Sequence, residues 1–480
     1  MIHEAFPLLR RWSVLLSIAA LSACTTVGPD FEPPEPEVPT SYDAPIPSRF
    51  QGSFSSDYWW ELFNDPKLSE LVELGLEENL EIRAAASRVR EARAQARGVT
   101  AQTGPNFEIG GESGGSISRN LGAEDHTRSG SLEAILDGSW EIDVFGRLAR
   151  SEEAAWARAE REEALQREAV RLTTAEIART YINLRGEQLR LSLTQRSLDL
   201  QEQTLELVQQ RVASGLAPGL DEVRARAALA SLQADLGPLR SNIQSFENAL
   251  AVLTDQPPGA LVELLSPEAP VPDVEDGSPV GVPLDMVRHR PDLRAAELQI
   301  AAATAEIGVA TAELYPRLTI PGSISLTRGG VGTENIVNTL MGSLSLLLQM
   351  PLYDGGERRE AVTAAEERAT QALLNYRETL LNALQEVEDA LLNYRGTALR
   401  LSSLEEAVEN NRLAYQQSQE LYRQGFASFI DVLDSQRELT TSEQELAEAE
   451  RQLSLEAVNL YAALGSGLPE EEELASSEGQ

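Results

Sequence analysis

Few side chains in this 480-residue sequence could do chemistry, and their types exclude more than they suggest. There is one cysteine, Cys24, and there are three histidines, His3, His126 and His289, so no disulfide framework can form and a His/Cys metal site has almost no ligands. No nucleophile, base and orienting group recur at workable spacing, which leaves no basis for an enzyme and no call for a cofactor. The "GGVG" stretch around Val331 lacks the strand-to-helix context and the lysine of a phosphate loop. His126 reads as part of an external loop, and His289 as a residue just ahead of a helix start. Cys24 is different. Arg10 and Arg11 precede the apolar run "WSVLLSIAALSA", which suits a secretory signal core and is too short to span a bilayer as a helix. "LSAC" sets small residues before the cysteine, as a bacterial lipobox does, which predicts cleavage of residues 1–23 and acylation of Cys24. Plain cleavage after Ala23 and a buried thiol are the alternatives. Each acyl chain contributes about 0.8 kcal/mol per buried CH2, so several on one residue hold a protein at a membrane. Thr25, rather than aspartate, after the cysteine suggests outer membrane sorting by analogy with other lipoproteins.

The charge balance points away from nucleic acid. With 76 Asp and Glu against 40 Lys and Arg, the chain lacks the clustered cations that phosphate backbones require. Proline then divides it. "CTTVGPDFEPPEPEVPTSYDAPIP" cannot hold a helix and reads as an extended strap over residues 24–60, and a second proline-rich segment, 255–282, separates two larger blocks. Those blocks, 61–254 and 283–466, are copies: Pro105 aligns with Pro316 at an offset of 211, while Gly215 with Gly425 and Asp221 with Asp431 keep an offset of 210. The period is too long for a solenoid of small units. The acidic end, 467–480, reads as a disordered tail.

Within each copy the hydrophobic period takes two values. Leu191, Thr194, Leu198, Gln201, Leu205, Val208 and Val212 alternate steps of three and four, as do Leu401, Leu404, Val408, Tyr415 and Tyr422, the signature of a coiled-coil seam. No proline interrupts Phe145 to Val212, so this predicts a helix of about 100 Å at ~1.5 Å per residue. The turns at about 213–221 and 423–431 then become tips of antiparallel helical hairpins, with Pro218 in a first turn and Ser428 with Asp431 spaced as a capping box. Elsewhere the period is two. Leu132, Ala134, Leu136, Trp140, Ile142 and Val144 alternate with polar residues, as do Leu318, Ile320, Ile324 and Leu326, and Leu340, Leu344, Leu346, Leu348, Met350 and Leu352, although Leu347 breaks the polar side. Each copy therefore offers a strand hairpin, at about 105–144 and 317–353. The fold class is α+β, a duplicated unit of long helical hairpins and two-stranded β-hairpins. Four strands cannot close a membrane barrel, so lipid burial would demand an oligomer; a soluble sheet with one wet face is the alternative.

The stretches "CTTVGPDFEPP", "YWWELFNDPKLSELVELGLEENLEIRAAASRVREARA", "SWEIDVFGR", "RHRPDLRAAE", "IGVATAELYPRLTI" and "NLYAALGSG" occur in an order that resembles the outer membrane factors of tripartite efflux pumps. These are the TolC-like channels, and the likeness is greatest to their lipoprotein, NodT-type branch. The resemblance implies a homotrimer in which twelve strands form an outer membrane barrel and twelve helices continue it as a periplasmic tunnel. It also implies a passive duct for drugs or other small molecules, partnered by a periplasmic adaptor and an inner membrane pump of the RND type. An outlet for protein or metal-ion export, or a periplasmic coiled-coil scaffold, stands as the alternative. By the same resemblance, Asp431 and Asp434 in "FIDVLD" would ring the pore constriction. Asp221 and Tyr422 would clasp neighbouring helices, and Gly215, Leu216, Ala217, Gly425, Phe426, Ala427 and Ser428 would form the adaptor-docking ring. One departure bears on the clasp. Ala427 stands where the family can carry an arginine, which makes Arg423 the candidate substitute.

Overall fold

The computed structural model describes residues 26–47, 50, 58–119, 126–274, 281, 283–331 and 335–466. The signal segment, Cys24 and the acidic tail lie outside the described residues, as does the side chain of His126. The chain forms two compact units, one of residues up to Glu35, Arg88–Glu163 and Ala295–Arg377, the other of Pro36–Ser87, Ala164–Arg294 and Glu378 onward.

The first unit holds one antiparallel sheet. Its strands are β1 (Asn106–Arg119), β2 (His126–Ile142), β3 (Arg317–Val331), β4 (Asn335–Leu344) and β5 (Leu347–Gln349), in the order β1-β2-β3-β4 with β5 paired to β3. The two hairpins meet where β2 pairs with β3, Leu136 opposite Ile324 and Ala134 opposite Leu326. Register carries the alternation from strand to strand, broken on the polar face by Ile135, Val337, Met341 and Leu347. Ile109, Leu136 and Ile324 share one face, whereas Glu108 lies opposite Asp137, and Glu112 opposite Glu133, on the other. The apolar face is open: Ile109 is 84 % exposed and Leu344 80 %. Arg128, opposite Ile117, and Arg328, opposite Leu132, end that apolar band toward the loops. Proline explains a gap that alternation alone does not predict. β4 and β5 share one register on β3 but part at Ser345, which donates to the Pro321 carbonyl at 3.0 Å while Pro321 has no N–H to return. Among the described residues, β1 and β4 have no strand on their outer sides.

The helices are α1 (Pro66–Glu78), α2 (Leu80–Thr100), α3 (Arg147–Ala213), α4 (Gly219–Leu253), α5 (Val262–Leu265), α6 (Pro283–His289), α7 (Pro291–Ala312), α8 (Glu357–Gln424) and α9 (Phe429–Leu464). The long ones match in pairs: α3 has 67 residues and α8 68, α4 has 35 and α9 36. Their seams are buried at steps of seven, through Thr194, Gln201 and Val208 in α3 and Val408, Tyr415 and Tyr422 in α8. Gln201 is polar but satisfied, its amide donating to the Ala225 carbonyl at 3.0 Å. α4 runs through Pro238, which costs it one backbone bond without ending it. His289 closes α6, with Nδ1 2.6 Å from the Asp285 carbonyl oxygen, and a single residue, Arg290, separates it from α7.

In the second unit the proline-rich segment is pinned rather than slack. Arg185, buried in α3, donates to the carbonyls of Leu265 at 3.2 Å and Pro267 at 2.8 Å, and Ser454 Oγ donates to the carbonyl of Pro272. The stretches "RHRPDLRAAE" and "NLYAALGSG" meet at the end of α9. Arg290 grips Asp292 through two bonds of 3.0 and 2.6 Å, reaches Glu386 at 2.7 Å, and donates to the Ala463 carbonyl at 2.7 Å; Arg171 donates to the Ala462 carbonyl. The last carbonyls of α9, which the helix cannot satisfy, thus receive two guanidinium groups at its negative end. Burial pushes the Asp292 carboxyl up, but the hydrogen bonds and charge of Arg290 outweigh it and hold the group below its usual range.

Replacing Arg290 with Met leaves Asp292 with no cation bonded to it and should cost about 3–5 kcal/mol, read as a lower urea midpoint of helical circular dichroism. Because the Asp292 carboxyl is held low, its stabilisation is complete above about pH 4 and is lost as pH falls through its depressed value. Arg290→Met should therefore show a smaller acid loss across that range.

Candidate functional site

The two hairpin tips are built alike from the backbone up. α3 ends where Gly215 adopts φ +70° and donates to the Val212 carbonyl at 3.0 Å, and Leu216 N donates to the Arg211 carbonyl at 2.8 Å. α8 ends in the same way: Gly425 has φ +83° and donates to Tyr422 at 3.0 Å, and Phe426 N donates to Leu421 at 2.9 Å. Only a residue without Cβ takes this left-handed turn at no cost. The residue after each glycine is apolar and open, Leu216 at 69 % and Phe426 at 80 % exposure. Ala217 and Ala427 are half-buried, and Ala427 packs on a cluster of Val208, Ala225, Tyr415, Tyr422, Phe429, Val432, Leu433 and Leu439 drawn from both hairpins.

The tips differ where the following helices begin. Ser428 caps α9: the Asp431 carboxylate accepts from the Ser428 N–H at 2.8 Å and from its hydroxyl at 2.7 Å, completing a capping box. The Ser428 hydroxyl, then its backbone N–H, hold the Asp431 carboxyl below its usual range. In the first tip the cap position falls on Pro218, one residue ahead of the expected first turn. It has no N–H and no hydroxyl, so Asp221 cannot cap; it lies buried, 3.8 Å from Arg224. Asp434 is exposed, one turn beyond Asp431, with Arg437 4.0 Å away.

The cation on Tyr422 is not Arg423. The Arg423 side chain points to Glu420 at 3.8 Å. Arg211, from the last turn of α3, lies over the Tyr422 ring with its guanidinium carbon 4.6 Å from the centroid, and donates to the carbonyls of Tyr422 at 2.7 Å and Arg423 at 3.2 Å. It fastens the first hairpin to the C-terminal end of α8. Two buried atoms of this contact, Arg211 Nε and Tyr422 Oη, have no hydrogen-bond partner among the described residues. Burial pushes the Tyr422 hydroxyl up, against the pull of Arg211 and with the help of Asp221. The clue lay in the repeat itself, since Arg211 aligns with Leu421 at the 210-residue offset and departs from its copy.

A family pattern described as outer membrane efflux protein matches residues 71–255 and again 283–466, taking in both tips. The chain belongs to this family. Nodulation protein T of Rhizobium leguminosarum bv. trifolii is 32 % identical over 455 residues, covering 93 % of this chain and 95 % of the relative. Pyoverdine export outer membrane protein OpmQ of Pseudomonas putida is 30 % identical over 457 residues, covering 93 % and 95 %. Among solved structures, the outer-membrane channel OprN superposes with a TM-score of 0.82 at 33 % identity, covering 92 % of this chain and 99 % of that one. The protein is thus an outer membrane efflux channel.

Arg211→Ala should loosen the tip of this efflux protein. Loss of charge-assisted bonds and a cation–π contact, together about 2–4 kcal/mol, should speed amide exchange across the tip cluster by tenfold or more. Arg211→Lys should fall between, since an ammonium cannot reproduce the forked contact.

Proposed function

We propose that three copies of this chain close one outer membrane barrel of twelve strands, with the two repeats, 61–254 and 283–466, each supplying one strand hairpin and one helical hairpin per copy. The carrying observation is the sheet: an exposed apolar face, a polar opposite face, and no strand on the outer side of β1 or β4 among the described residues. In hydrocarbon those margins must be paired, and a sheet of this size cannot pair them by itself. Cys24, acylated, anchors the strap of residues 24–60 in the same membrane. The helices extend into the periplasm as a tunnel, and solutes pass down it passively, delivered by an inner membrane pump of the RND type through a periplasmic adaptor. A relative named for pyoverdine export supports a small-molecule cargo.

The tips are the gate. Asp431 and Asp434 are exposed carboxylates one turn apart, and threefold symmetry would repeat each as a ring that narrows the pore and favours cations. Asp221, Tyr422 and Arg423 surround the contact that keeps the helices together, with Arg211 as its cation. Gly215, Leu216, Ala217, Gly425, Phe426, Ala427 and Ser428 form the docking ring, and the open Leu216 and Phe426 side chains are what an apolar adaptor tip would cover.

Native mass spectrometry in detergent should give a trimer, with single-channel conductance in planar bilayers; a stable water-soluble monomer would refute the barrel. Ile324→Arg, on the apolar face, should cost about 2–4 kcal/mol and abolish recovery of assembled channel, whereas Ser325→Arg on the polar face is tolerated. Replacing Asp431 and Asp434 with Ala should raise conductance and weaken block by divalent cations. Because the Ser428 hydroxyl and N–H hold the Asp431 carboxyl low, Ser428→Ala should move the loss of block on acidification to higher pH.

A further inference from the structure

The strap enters the first unit through a seat made for it. Val27 N donates to the Phe145 carbonyl at 3.2 Å, just past the end of β2. Beneath the strap lies Arg150 of α3, its side chain 5 % exposed, which donates to the carbonyls of Val27 at 3.3 Å and Gly28 at 3.4 Å, to Asp30 Oδ1 at 2.6 Å and to Glu153 Oε2 at 2.7 Å. Three glycines allow the approach. Gly28 has φ +90°, and a Cβ there would come within 2.5 Å of Gly308 Cα. A Cβ on Gly308 would meet Arg150 Cγ at 2.6 Å, and one on Gly146, at φ +78°, would meet Thr26 at 2.5 Å. Backbone from both repeats, at Gly146 and Gly308, thus forms a recess with no room for a side chain, floored by one buried guanidinium. Thr26 follows Cys24 by two residues, a reach of about 7 Å at most.

We propose that this recess is a binding site for the chain's own Thr26–Asp30 segment, with Arg150 as its positioning residue, and that it fixes where on the protein the lipid anchor departs. The anchor role rests on the acylation of Cys24 proposed above; the recess does not. Seated here, the strap delivers its acyl chains beside the ends of β2 and β3 at Ile142 and Arg317, where the apolar face of the sheet begins. The guanidinium suits the task because it can serve several oxygens at once from a rigid plane, which an ammonium cannot.

Hydrogen exchange on the full acylated chain in detergent reads the recess. The Val27 amide should be protected in the natural chain. Arg150→Leu and Gly28→Ala should each raise its exchange about tenfold or more, as loss of charge-assisted bonds or forced displacement requires, and Asp30→Ala, whose carboxylate is open to solvent, about two- to fivefold, while the amides of α3 are unchanged. Arg150→Lys should recover little. Asp30→Ala and Gly28→Ala lie in the strap, so they decide the matter even if Arg150→Leu fails to fold; unchanged Val27 protection in both overturns the recess. A diazirine-bearing fatty acid fed to cells should crosslink near the ends of β2 and β3 in the natural chain and scatter over the sheet in the variants; crosslinks that stay put while Val27 is released overturn the anchor role. The mass of the N-terminal peptide is read separately. An unacylated Cys24 defeats the lipid reading and the anchor role together, and leaves the Val27 result to judge the recess alone.

Discussion

A strand edge in hydrocarbon has nowhere to send its N–H and C=O groups except to another strand. Much else in this protein follows from that constraint. The sheet sets its carboxylates on one face and most of its aliphatic and aromatic side chains on the other, with Ile135, Val337 and Met341 as apolar exceptions among the carboxylates and hydroxyls, through a register unbroken from β1 to β4. Glu108 opposite Asp137 and Glu112 opposite Glu133 set like charges directly across a strand pair, which is tolerable only on a face that water reaches and screens. The lipid-suited face tolerates guanidinium groups only toward its loop end, at Arg128 and Arg328, where such a side chain can reach water.

The helical parts answer a different need, which is to end long helices without leaving bare carbonyls. Three solutions appear. Left-handed glycines close α3, α8 and α9, the guanidinium groups of Arg290 and Arg171 add to the end of α9, and Arg211 covers the last carbonyls of α8 from the neighbouring hairpin. In each arginine case the cation comes from a distant part of the sequence. The same bonds that finish a helix therefore also fasten remote segments together.

Much of this was legible in the sequence because duplication and periodicity are written in spacing. The offset of 210 residues predicts two tips of one design, and the backbone bonds at Gly215 and Gly425 repeat residue for residue. The period of two marks the strands, and the period of three and a half marks the seams that bury Thr194, Gln201 and Val208. What spacing does not carry is partnership between distant residues. Nothing local to Arg211 announces the Tyr422 ring, Arg150 gives no sign of the strap, and the proline-rich linker looks loose until Arg185 and Ser454 are found holding its carbonyls. Pro321 lies within a strand that the alternation reads as continuous, and only the register shows that β4 and β5 are one strand interrupted opposite it.

Pro218 and Ser428 occupy the same position in the two copies and give it opposite chemistry, one withholding every hydrogen-bonding group from the carboxylate three residues on, the other supplying two. If three chains stand in a ring, their six turns fall into two alternating kinds, hidden acid and displayed acid. A six-spoked collar laid against that rim would find its neighbouring spokes on unlike ground, so equal shape around the circle would conceal unequal grip.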